Sequence, residues 1–410
     1  MGLPLRERLG ALQERDFRLL FTATTITALG DRLAGIALVF AVLDFGTATD
    51  LGIVLAARQV TQAVVLVSGG VISDRLPRHL VLTAASLVQA VGQGVIAALV
   101  LTGSASVWNL VAFHILYGIG GGMIIPAQAG LIPQTVSPGR LQQANALQGL
   151  SRNLTGVLGP AVGGLLVVAA SPGIALAADA VTFLVCAAVL AQIQIAPRAR
   201  VAAGFFHELR EGWRELTAHT WLWSSLGLIG FANMFYVGAW AVLGPSIAET
   251  ELGGAAAWAA ILTVGAAGAI AGGIAALRYR PARPLLAASL APMPMVLPLV
   301  GLALAWPTWA IAAAAFVSSL GLAIHLTLWA TVFQQHVPEH ARSRVSSYDA
   351  LGSFVLIPVG VALAGPVAAT IGVDTSLWVV VGVFLGCTTI VAAIPSVRAI
   401  RAGDPSPRSA

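Results

Sequence analysis

The chain has 410 residues, of which 58% are hydrophobic and only 10% charged, whereas an ordinary soluble protein carries about 25% charged residues; a water-soluble domain is excluded. Every basic residue is arginine, none is lysine, and the formal net charge is +5. Without lysine there is neither a phosphate-cradling P-loop nor a Schiff-base nucleophile, which excludes ATP hydrolysis by this chain. A bilayer core of roughly 30 Å takes about 20 apolar residues per helix. The chain offers twelve such segments, at 17–43, 51–73, 80–101, 107–132, 143–169, 174–194, 221–247, 255–277, 284–304, 307–333, 346–371 and 375–395.

In segment 1, Asp31 lies roughly 20 Å along the helix from its start at 1.5 Å per residue, near mid-membrane, and Arg32 points about 100° away from it. Segment 2 carries Arg58 at a similar depth, so an Asp31–Arg58 pair is expected. Segments 2 and 3 are joined by a short charged hinge, Gly69-Gly70-Val71-Ile72-Ser73-Asp74-Arg75-Leu76-Pro77-Arg78-His79. Segment 4 holds His114 and Tyr117. Segment 5 holds Arg152 and then Gly156, Gly159, Pro160, Gly163 and Gly164, in which Gly156, Gly159 and Gly163 form one smooth face. Asp179, near the outer end of segment 6, reads as structural. The longest polar stretch, 196–220, separates the halves, and Phe205 to Trp213 within it reads as an amphipathic helix along the membrane surface. Segment 7 carries Asn233, Phe235, Tyr236 and Trp240, and segment 8 repeats the glycine spacing at Gly265, Gly268 and Gly272. Segment 10 carries His325 and Trp329, and segment 11 Asp349. Cys186 and Cys387 read as small apolar packing residues.

All arginines except Arg32, Arg58 and Arg152 fall in the terminal stretches and in every second connection. The alternate connections hold Asp44, Asp50, Glu249, Glu251 and Asp374 and no base. This is the positive-inside bias; it places both termini in the cytoplasm and the chain in the cell inner membrane, and argues against nucleic acid as a partner. Met1 to Arg18 has no cleavable-signal pattern.

Ionisable residues at membrane depth are functional-site candidates by default. Desolvation and a neighbouring guanidinium pull a buried carboxylate in opposite directions, so Asp31 with Arg58 and Arg152 is the expected proton-coupling group. The competing reading is a permanently ionised pair tying helices 1 and 2 together. The histidines and the aromatic residues of segment 7 can equally be packing residues. Neither the histidines nor the cysteines have metal-ligand or nucleophile–base spacing, so no metal, cofactor or enzymatic activity is expected.

The two halves repeat at about 203 residues: Gly69-Gly70 with Arg75 returns as Gly272-Gly273 with Arg278, Gln134-Thr135-Val136 as Gln335-His336-Val337, and Gly159-Pro160 as Gly365-Pro366. Gly70, Asp74, Arg75 and Arg78 resemble the Gly-x-Leu-Ala-Asp-Arg-x-Gly-Arg-Arg hinge of major facilitator superfamily transporters, with Pro77 and His79 departing from it. Gly156 to Gly164 is similar to the Gly-x-x-x-Gly-Pro-x-x-Gly-Gly stretch of that superfamily's antiporter branch, with the first glycine one residue closer. Gly30-Asp31, Ala56-Ala57-Arg58, Pro126-Ala127 and Asn145-Ala146 add to a likeness with macrolide and multidrug exporters and enterobactin-type siderophore exporters.

The resemblance implies an all-α membrane protein of twelve transmembrane helices in two pseudo-symmetric six-helix bundles: 1–195, a linker at 196–220, 221–397, and a tail at 398–410. It implies a proton-coupled exporter of bulky amphipathic compounds, monomeric in the lipid bilayer, with a small molecule and protons as its partners. Neutral or anionic cargo suits the excess of arginine over Asp31 in the first half. Asp74, Arg75, Arg78 and Gly70 would form a latch with Asp349 at the start of helix 11, and helices 5 and 8 would meet through their glycine faces. The cavity would be lined from helices 1, 4, 7 and 10 by Thr24, Thr27, His114, Tyr117, Asn233, Phe235, Tyr236, Trp240, His325 and Trp329. The alternative is a uniporter or uptake permease for a small metabolite, not driven by protons.

Overall fold

The computed structural model describes residues 10–195 and 213–402, apart from the side chains of 67–75 and of several residues between 339 and 354. The chain divides into two compact units, Met1–Val201 and Ala202–Ala410. The first unit consists of α1 (Arg15–Leu43), α2 (Ala48–Arg75), α3 (Arg78–Leu101), α4 (Val107–Thr135), α5 (Leu141–Ala169) and α6 (Pro172–Leu190). Long apolar runs become helices in hydrocarbon because only a helix satisfies each backbone group within its own segment. Polar caps set the ends. Ser106 accepts from the Asn109 amide at 3.4 Å to start α4, and Ser171 accepts from the Ile174 amide at 3.2 Å to start α6, with Pro172 in the first turn where its missing N–H costs nothing.

The second unit consists of α7 (Thr220–Leu252), α8 (Ala255–Ala276), α9 (Pro284–Ala303), α10 (Thr308–His336), α11 in two pieces (Glu339–Phe354 and Ile357–Ile371) and α12 (Val373–Ala393). Prolines account for its irregularities. Pro245 lies between two π-helical stretches of α7, Ala239–Leu243 and Ala248–Leu252, and a proline cannot donate to the preceding turn. In α9, Pro292 precedes and Pro294 sits within a 3-10 turn, Met293–Met295. Gly253 and Gly254, at φ +95° and +73°, close the turn from α7 to α8, a backbone that other residues adopt only under strain.

Among the described residues ten helices are long and apolar enough to cross a membrane. The remaining two of the twelve expected segments are α2, a helix of 28 residues, and the interrupted α11, whose apolar half has 15 residues. Outward-facing side chains such as Leu87, Val91, Val181, Leu184 and Ile390 are exposed, an arrangement suited to lipid. Trp108 and Trp309, exposed at the starts of α4 and α10, have the character of interfacial aromatic anchors.

The same pairing recurs in each unit. In the first, α1 packs on α5 and α6, α2 on α4, and α3 on α4 and α6. In the second, α7 packs on α11 and α12, α8 on α10, and α9 on α10 and α12. The sequence repeat is therefore a repeat of helix partners. Phe17, Leu20, Leu82, Leu131 and Ile193 centre one core, and Trp221, Leu222, Leu285, Val332 and Val391 the other.

One expectation is corrected. The glycine faces of α5 and α8 are filled from within their own units. A side chain at Gly159 would collide with Arg32 Cβ, and one at Gly163 would approach the Leu33 Cα of α1 to 2.7 Å. A Cβ at Gly268 or Gly272 would approach the Cα of Phe316 or Leu320 of α10 to 2.8 Å, while one at Gly156 meets nothing within 4 Å. Glycines three and four residues apart show that some helix comes close, but not which one.

Candidate functional site

Two further glycines build the site. A Cβ at Gly118 of α4 would come 2.7 Å from the Arg58 carbonyl oxygen, so α2 presses its backbone onto α4 beside Tyr117. A Cβ at Gly30 would collide with Asp179 Oδ1 and Thr182 Oγ1, so α1 lies equally close to α6. In both places a glycine is followed or preceded by the residue that carries the chemistry.

The expected pair is formed. Arg58 Nη2 lies 3.6 Å from Asp31 Oδ1, with the side chains 31% and 37% exposed. The Tyr117 hydroxyl donates to the same carboxylate oxygen, and the Arg58 guanidinium sits over the Tyr117 ring, 4.4 Å from its centroid. A cation–π contact of this kind is worth of order 1 kcal/mol. Asp31 thus has one ionic and one hydroxyl partner, yet more than a third of its side chain remains open. Tyr117 itself is buried, with Phe183 edge-on at 5.6 Å and His114 at 6.0 Å between centroids. His114 is buried too, its Nδ1 3.1 Å from the Leu110 carbonyl oxygen. Neither residue, though both were expected to line a cavity, is in its lining: Tyr117 holds Asp31, and His114 packs beside Tyr117.

Asp179, read from the sequence as structural, lies against Gly30 beside this cluster. It is fully buried, its Oδ1 accepts from Thr182 Oγ1 at 3.2 Å, and its Oδ2 has no hydrogen-bond partner. A carboxyl buried with one hydrogen bond is costly. The acid in segment 6 was visible in the sequence; its depth along one helix did not reveal that Gly30 draws α1 against it.

Next to Asp31 the first unit contains a cavity of about 360 Å³. Its polar wall comes from α1 and α5. Thr24 Oγ1 donates to the Leu20 carbonyl at 2.8 Å and receives Gln148 Nε2 at 3.3 Å, and the Thr25 and Ser151 hydroxyls lie 2.7 Å apart behind it. Thr27 and Arg152 also face the cavity, and Ser86 and Cys186, 3.6 Å apart, close it from α3 and α6. Thr24, Thr27, Arg152 and Asp31 were read from the sequence. Gln148, Ser151, Ser86 and Gln128 were not; polar residues at Gln148 and Ser151, three apart and beside Arg152, were the available signal. Arg152 shares the cavity with Asp31, but among the described residues it has no ion pair with it.

The other expected site residues that the structure describes make their contacts within their own units. In the second unit Tyr236 stacks on Trp240 at 6.4 Å and meets Phe384 at 5.4 Å, Trp240 meets Trp258 at 4.7 Å, and Phe235 packs on Phe231 at 5.0 Å. Asn233 Nδ2 donates to the Ser353 carbonyl at 3.3 Å. His325 is buried, its Nδ1 2.7 Å from the Ala288 carbonyl oxygen, and stacks on Trp329. Trp329 Nε1 donates to Asp349 Oδ2 at 3.3 Å. Arg78 donates to the Gly130 carbonyl of α4 at 2.6 Å. The surroundings of Gly70, the side chains of Asp74 and Arg75, and the stretch from Phe205 to Gly212 lie outside the described residues.

A family model described as Major Facilitator Superfamily matches residues 20–361. The chain belongs to this superfamily. Several solved structures share its fold. One is a bacterial homolog of the human lysosomal transporter Spinster, with a TM-score of 0.71 at 14% identity over 97% of this chain and 98% of that one. Another is the nucleoside transporter NupG, with a TM-score of 0.73 at 10% identity over 92% of this chain and 99% of that one. A third is a D-xylose–proton symporter, with a TM-score of 0.68 at 14% identity over 96% and 99%. No curated protein matches the sequence. The protein is a multi-pass membrane transporter of the superfamily.

Proposed function

We propose that the protein is a proton-coupled secondary transporter that exports bulky amphipathic compounds by alternating access. The observation that carries the coupling is Asp31: a carboxylate deep in an apolar helix, held by Arg58 and Tyr117, with more than a third of its side chain open. Asp31 is then the group that carries the coupling proton as the cavity opens to either side, an ionisable residue at membrane depth being a functional candidate by default. In this reading both termini face the cytoplasm and the chain works as a monomer in the cell inner membrane. The hinge at Gly70, Asp74, Arg75 and Arg78 acts with Asp349 as a latch on the cytoplasmic side. The Gly156–Gly164 stretch lets α5 ride closely on its neighbour as the bundle rocks.

Export is favoured over uptake by the likeness of Gly156 to Gly164 to the antiporter stretch. The experiment is transport of a panel of drug-like and siderophore-like compounds in proteoliposomes, with and without an imposed pH gradient. The proposal expects accumulation that follows the gradient and collapses with it. Movement indifferent to the gradient would replace it with a uniporter or uptake permease for a small metabolite.

A further inference from the structure

We infer that the cavity of the first unit is a binding site for a monocarboxylate attached to an apolar body, with Arg152 as the residue that receives the carboxylate. The inference rests on the transport reading above and names the class of cargo. Arg152 is the twelfth residue of α5, roughly 16 Å along the helix at 1.5 Å per residue, and it faces the cavity. Of the guanidinium groups set in the helices of this unit, that of Arg58 is engaged by Asp31 and the Tyr117 ring. Arg152 has no ion pair or hydrogen bond through its side chain among the described residues, and neither has the amide of Gln128, across the cavity on α4. An arginine at membrane depth is retained at a cost, and it is ordinarily paired. Arg152 is exposed, and the cavity it faces is walled on its polar side by Gln128, Gln148 and Ser151.

The shape of the wall narrows the ligand. A guanidinium offers a planar fork of N–H donors that matches a carboxylate bidentately, and Gln128 and Gln148 stand on the walls beside it. The remaining surface, from Leu82, Ile132, Phe183 and Leu190, is apolar and suits a ring or short chain. The volume of about 360 Å³ lies at the small end of ligand pockets, so it seats one ring-sized group of a larger cargo. A single uncommitted cation with the Asp31 carboxylate in the same cavity favours a monoanion over a doubly charged phosphate.

The test is ligand binding to the detergent-purified full chain, read by calorimetry, with 1-naphthoate, its neutral isostere 1-naphthamide and 1-naphthyl phosphate as probes. A charge-assisted bidentate pair predicts that naphthoate binds about tenfold or more tighter than the amide. That preference should vanish in Arg152→Gln, survive in part in Arg152→Lys, and be untouched in Arg32→Gln, because Arg32 lies outside the cavity lining. Equal binding of acid and amide, binding of neither, a preference for the phosphate, or an acid preference that outlives Arg152→Gln would each overturn the inference. Because binding is measured without a proton gradient, loss of coupling in proteoliposomes with naphthoate preference intact would fault the transport reading alone.

Discussion

At the scale of single residues, Tyr117 gives the sharpest handle on how Asp31 is held. Tyr117→Phe removes the hydroxyl that donates to Asp31 while leaving the ring beneath Arg58. Loss of a hydrogen bond to a charged group is worth roughly tenfold in rate or more, so gradient-driven transport should fall by about that factor at normal expression. Tyr117→Leu, which also removes the cation–π contact, should fall further. Equal rates for wild type and Tyr117→Phe would remove the hydroxyl from the coupling site. Asp31, Arg58 and Arg152 were legible because a charge in a greasy helix is conspicuous in any sequence. That Tyr117 reaches Asp31 across 86 positions, or that Asp179 lies against Gly30, was not legible, since both depend on which helices are neighbours. His325 and Trp329 were equally conspicuous, yet their side chains are spent on the Ala288 carbonyl and on Asp349.

At the scale of the helix, α5 offers a paired comparison within one face. Gly163→Ala drives a methyl group against the backbone of α1 at Leu33 and should cost roughly 1–3 kcal/mol through overpacking. Gly156→Ala meets nothing within 4 Å and should stabilise the helix by up to about 1 kcal/mol, the difference in helix propensity between the two residues. Thermal unfolding of the purified variants checks both signs; a Gly163→Ala protein as stable as Gly156→Ala would mean that α1 and α5 are not in backbone contact. Hydrophobic runs and capping serines made the helices readable one by one. The break of α11 between Phe354 and Ile357 and the π-helical stretches of α7 were not readable, because an apolar run with a proline in it looks continuous to a hydropathy count. The antiporter-like glycines told that α5 is closely approached, and only the packing told that α1 does so.

For the whole molecule, the alternation of arginine-rich and acidic connections predicts an orientation that reporters can read. Alkaline phosphatase joined after Gly103 or after Gly253 should be active outside the membrane, and joined after Gly139 or Arg280 should be inactive; the reverse pattern would invert the topology. The doubling of the chain was visible in the recurrence of short motifs, and it holds in the structure as the same helix partners in both units. The distribution of charge is unequal, however: Asp31, Arg58, Arg152 and Asp179 all belong to the first unit, and the place of Asp31 in the second is taken by the neutral Asn233-Met234. A transporter so built should carry its energy coupling in one half alone. The direct measurement is cargo-induced proton release from inverted vesicles followed with a pH-sensitive dye, comparing wild type with Asp31→Asn. Wild type should release protons when cargo is added, and Asp31→Asn should release none while still exchanging labelled for unlabelled cargo. Proton release unchanged in Asp31→Asn would contradict the account.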